Sequence, residues 1–145
     1  MRLLHLPTVL LAAGLLATGC TSGPEPAAFR PPPAGSLDDG PCALVAEDVV
    51  ALGRLAFELR GVAAPGPGPA TALESAQVRV GAVAESADAA VRPALERLVL
   101  TTGLVRIEVA TRMLRAPVLQ NMDVAYGDAV RACSGGAATP APTAG

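Results

Sequence analysis

Apolar residues recur every three or four positions along the middle of this chain, and breaks rich in glycine and proline separate the runs that carry them. That period marks helices with one buried face. In the first run Val45, Val49, Leu52, Ala56 and Leu59 share a stripe, with Glu47, Arg54 and Glu58 on the opposite side. Asp39, Gly40 and Pro41 supply a start and Gly61 a stop. Residues Ala63-Ala64-Pro65-Gly66-Pro67-Gly68-Pro69 then read as a loop. Thr71 and Glu74 have the spacing of a capping box for a second helix, whose stripe is Leu73, Ala76, Val80, Val83 and Ala87.

The third run, Ala94 to Arg115, fits a helix with Leu95, Leu98, Val105, Val109 and Met113 on one face. Val105-Arg106-Ile107-Glu108-Val109 also alternates with period two and is rich in β-branched residues, as a strand would be. The helix is preferred over 104–109, because no neighbouring segment offers a partner strand and a lone strand is unstable. A fourth helix opens at Pro117, a favoured first-turn residue, and carries Leu119, Met122, Tyr126, Ala129 and Cys133.

The N-terminus has another character. Arg2 precedes a leucine- and alanine-rich stretch from Leu3 to Ala17, shorter than the roughly 20 apolar residues that cross a bilayer. It fits the apolar part of an export signal over residues 1–19. The stretch closes on Leu16-Ala17-Thr18-Gly19-Cys20, which resembles the lipobox of bacterial lipoproteins. That resemblance implies diacylation of Cys20 on sulfur, cleavage before it, and attachment to the extracytoplasmic face of the cell membrane. Two acyl chains, at about 0.8 kcal/mol per buried CH₂, anchor stably where one does not. Residues 20–37, dense in proline and glycine, read as a tether able to hold a domain several nanometres from the membrane. The helical domain is expected over 38–134 and a disordered tail over 135–145.

Cleavage before Cys20 leaves two cysteines, Cys42 and Cys133. Outside the cell such a pair is expected to form a disulfide. The bridge ties the start of the first helix to the end of the last, and so bears on topology. An up-down-up trio of equal helices puts those ends at opposite poles. An up-down-up-down bundle brings them together. So does a three-helix form in which 71–115 is one long helix kinked at Pro93, with the outer helices packed end to end along it. Pro93 is compatible with both, either in an early turn after an Asp88 cap or as a kink. The expected fold class is therefore all-α, a small antiparallel helical bundle of four helices, or of three with a Pro-kinked central one, tied by a disulfide.

Composition narrows the chemistry. All eleven basic residues are arginine, as in proteins from GC-rich genomes. After cleavage ten arginines face thirteen acids, a formal charge of −3, which argues against a nucleic-acid surface. The only histidine, His5, leaves with the signal, so the mature chain has no Ser-His or Cys-His pair and no imidazole metal ligand. Gly66-Pro67-Gly68 has prolines where a phosphate loop needs N–H donors. No catalytic residue, metal or cofactor is therefore expected.

Asp38-Asp39 reads as a helix cap rather than a cation site. Glu108 and Arg112 have the spacing of a surface ion pair, and Tyr126 reads as a core residue with its hydroxyl at the rim. Arg106 falls on a largely apolar part of the wheel and needs a partner. Asp123, Asp128 or the acid group of a ligand are the candidates, and a structural role, or snorkelling at the edge of the bundle, is preferred over ligand binding. The expected role is that of an anchored, non-enzymatic domain that interacts with another envelope protein. A carrier of a small ligand or lipid, with Arg106 reading its charge, is the alternative.

Overall fold

The structure, a computed structural model, describes residues 28–33, 35–37, 42–62 and 64–135. The lipobox cysteine, the Asp38-Asp39 pair, the Asp39-Gly40-Pro41 start signal and the tail beyond 135 lie outside those residues. After a 3₁₀ turn at Ala43–Val45, four α-helices follow: α1 (Ala46–Glu58), α2 (Gly68–Ser86), α3 (Arg92–Ala110) and α4 (Ala116–Cys133). The apolar stripes decide which faces turn inward. Val49, Leu52, Ala56 and Leu59 of the first helix and its C-cap, Leu73, Ala76 and Val80 of α2, Leu95, Leu98, Val105 and Val109 of α3, and Leu119, Met122 and Ala129 of α4 are all buried in one core. The segment 104–109 is helical throughout.

Cross-helix pairs fix the directions. Arg60 meets Asp123 and Cys42 meets Cys133 between α1 and α4, so one partner's number falls as the other's rises. Glu74 with Arg106 and Gln77 with Val99 do the same between α2 and α3, as do Arg97 with Asp128 and Glu108 with Arg115 between α3 and α4. Each helix thus packs antiparallel to the next, and α4 closes back on α1. The result is the up-down-up-down bundle. One pole holds the α2–α3 turn and the disulfide; the other holds the α1–α2 and α3–α4 loops. Cys42 and Cys133 are fully buried with Cα atoms 5.3 Å apart. Closing a loop of that span stabilises by about 2–4 kcal/mol.

Asp88 settles the choice between four helices and a kinked three. Its Oδ1 accepts hydrogen bonds from the backbone N–H of Ala90 (2.9 Å) and Val91 (3.0 Å), and its carbonyl accepts from Arg92 (2.9 Å). This turn ends one helix and starts the next, and Pro93 sits in the first turn of α3, where no donor is required. The capping box at Thr71 does not form. Pro67 and Pro69 preset helical φ, so α2 begins at Gly68, inside the stretch expected to be a loop. Thr71 is therefore interior to the helix, and Glu74 turns instead to Arg106.

Two further expectations change. Met113 lies beyond the end of α3 and is exposed. The helix stops because Arg112 takes a left-handed conformation (φ 56°), with Met113 N–H bonding to Glu108 O (2.8 Å) and Arg112 N–H to Val109 O (3.1 Å). This is a Schellman ending with arginine where glycine is usual. The segment expected to be tether also packs in part. Leu37 is buried in the core, and the Phe29 ring lies 6.1 Å from Phe57 and 6.2 Å from Tyr126. The sequence contains apolar anchors at both ends of the proline run, and burying them holds the run against α1.

Candidate functional site

α3 buries one side and still carries apolar residues on the other. Leu100, Leu104 and Ile107 follow the 4,3 spacing of a second stripe, directed away from the core, and are 70%, 52% and 56% exposed. The register that sets Gln77 beside Val99, and Arg97 beside Asp128, brings exposed Val78 of α2 and Val124 of α4 to the level of Leu100. α3 thus carries an exposed apolar ridge, and each neighbouring helix carries one exposed valine at a similar height. A row of exposed apolar side chains of this kind suits contact with a partner surface. The spacing of Leu100, Leu104 and Ile107 was readable in the sequence, but the inward stripe already explained the segment as a helix.

α2 and α3 pack closely beside the ridge. Gln77 Nε2 donates to Val99 O (3.2 Å), and Gly103 leaves the space that the Gln77 amide fills; a Cβ there would lie 2.9 Å from Nε2. Glycine at this point lets α2 and α3 approach with a polar side chain between them.

The expected partners of the charged residues are redistributed. Arg106 pairs with Glu74 (3.0 Å), not with Asp123 or Asp128, since its place on the wheel faces α2 rather than α4. Asp123 instead binds Arg60 (2.7 Å), and Asp128 binds Arg97 (2.8 Å) and Arg131. The Arg106 side chain keeps about a third of its surface exposed, while its Nε is buried without a hydrogen-bond partner. Glu108 does not pair with Arg112. It is almost completely buried and accepts hydrogen bonds from the Arg115 backbone N–H (2.9 Å), Arg115 Nε (2.7 Å) and Arg115 Nη2. The left-handed turn at Arg112 carries that side chain away from its own helix and delivers Arg115 in its place. Hydrogen bonds from Arg115 hold the Glu108 carboxyl below its ordinary range, and burial raises the Tyr126 hydroxyl above 10.0.

Among the described residues, two depressions are of a size to hold a ligand. One, about 680 Å³, lies at the pole formed by the α1–α2 and α3–α4 loops and is lined by Leu59, Val62, Leu114, Leu119, Arg60 and Asp123. The other, about 760 Å³, runs between Pro31–Pro33 and α1. Arg106 lines neither. Among the described residues, no three of His, Cys, Asp and Glu cluster as a metal site would need, and no helix is long and apolar enough to cross a membrane. Compared with known proteins, the chain matches no family model, no curated protein and no solved structure.

Proposed function

We propose that this is a lipid-anchored envelope protein whose bundle serves as a non-enzymatic interaction domain, with the outer ridge of α3 as its contact surface. The observation that carries the interaction is the exposure of Leu100, Leu104 and Ile107 on a helix that already has a complete inward stripe. Leaving three large aliphatic side chains in water gives up burial energy of about 25 cal/mol per Å². A partner that covers them recovers it. The anchor rests on the lipobox-like run ending at Cys20, and places the domain on the extracytoplasmic face of the cell membrane. The carrier alternative is less well supported, since the charged residue assigned to reading a ligand is paired with Glu74 and lines neither depression.

The test is made on membranes of the source cell. Mass spectrometry of the mature N-terminus is expected to find diacylated Cys20, and Cys20→Ala to leave the protein unprocessed or released from membranes. A photo-crosslinking residue at position 104 is expected to capture a reproducible envelope protein that the same residue at exposed position 85 does not. An unlipidated Cys20 removes the anchor, and indistinguishable capture at 104 and 85 removes the ridge.

A further inference from the structure

The packed segment ahead of α1 changes how the domain can sit relative to a lipid on Cys20. Leu37 is buried, Pro31 to Pro33 follow α1 past Val50, Arg54 and Glu58, and Phe29 docks on Phe57 near the end of α1 and on Tyr126 of α4. This strap runs antiparallel to α1. The chain therefore departs from the bundle near the loop pole, not from the disulfide pole where α1 begins. Only eight peptide units separate Ala28 from Cys20, and at their fullest extension they reach about 28 Å. The thirteen residues of α1 are themselves about 20 Å long, so turning the disulfide pole to the membrane would consume most of that reach.

The loop pole also has the chemistry of a membrane-facing surface. Among the described residues, the α1–α2 and α3–α4 loops carry Arg60, Arg112 and Arg115 and no acid, whereas the turn at the opposite pole carries Asp88. Arg60 and Arg115 pair with Asp123 and Glu108 yet keep more than half of their side-chain surface exposed, and Arg112 makes no ion pair among the described residues. Beside them Met113 is 69% exposed and Val62 41% exposed. Arginines flanking exposed apolar residues suit the interface of an anionic bilayer, where the guanidinium meets phosphate and the apolar group enters the headgroup boundary.

We infer that the domain stands on this pole, with Arg112 and Met113 against the anionic headgroup surface and the Phe29 strap setting the orientation. The inference rests on acylation of Cys20. It leaves the α3 ridge upright along the side of the bundle, accessible to a neighbour in the same membrane.

The full-chain protein, purified from its own membranes, is reconstituted in vesicles of phosphatidylglycerol and phosphatidylcholine. A fluorophore is attached at Met113→Cys or at Leu44→Cys; both positions are exposed, so neither exchange disturbs the core. A headgroup-attached quencher is expected to quench the Met113 label several-fold more than the Leu44 label, and Phe29→Ala to abolish that difference. With lipid on Cys20 verified by mass spectrometry, equal quenching at the two sites overturns the orientation and spares the anchor. A difference that survives Phe29→Ala overturns the role of the strap. An unlipidated Cys20 overturns anchor and orientation together.

Discussion

Glu108 accepts hydrogen bonds from both the backbone and the guanidinium of Arg115, so the junction between α3 and α4 depends on one ionised carboxylate. Its folded pKa is lowered, chiefly by the side-chain hydrogen bond and then by the backbone one. A lowered carboxyl pKa contributes stability above the unfolded value of about 4.3, and that contribution disappears as pH falls through the folded value. Urea unfolding is expected to show Glu108→Gln less stable than the parent at pH 7, with the gap closing as the pH is taken well below 4. The sequence placed Glu108 on its helix but paired it with Arg112, because i,i+4 spacing assumes that the helix continues. Whether a helix ends at 110 or 115 depends on a left-handed turn, and arginine gives no local signal for one. Arg106 was misassigned for a related reason. A helical wheel gives direction from one axis, but which neighbour occupies that direction is set by the order of helices around the bundle.

Between α1 and α4 the contact is close because Gly53 has no side chain. A Cβ there would lie 2.5 Å from the Tyr126 ring, which rests on the helix backbone and lies 6.2 Å from the Phe29 ring. Gly53→Ala is expected to displace the ring and cost about 1–3 kcal/mol in urea unfolding. The chain has one tyrosine and no tryptophan, so tyrosine emission reports that displacement directly. At this scale the sequence was most informative. Apart from Met113, the four stripes are legible because burial follows the 3.6-residue period, and Asp88 has the position of a cap for α3. The start of α2 and the packing of the strap were less legible. The capping box at Thr71 competed with prolines that start helices equally well, and the alanine-rich face of α2 gave no weight to either. The strap was missed because proline-rich composition describes a chain without partners, while Phe29 and Leu37 find theirs only once α1 and α4 have assembled.

For the molecule as a whole, the pairing of Cys42 with Cys133 is readable from the cysteine count and the expected compartment, and it conflicts with three equal helices. What it could not supply was the choice between a kinked rod and a closed bundle, since both bring the two cysteines together. The bridge makes the polypeptide from Cys42 to Cys133 a covalent ring. A cut anywhere in a ring leaves one piece. A protease that enters the exposed stretch around Gly61, Val62 and Gly66 therefore severs the chain without releasing either part. After limited digestion there, the protein is expected to migrate as a single species on a denaturing gel and to separate into two only when a thiol reductant is added. Two fragments without reductant would show the ring to be open. Cleavage in that loop thus leaves all four helices joined to the segment ahead of Cys42.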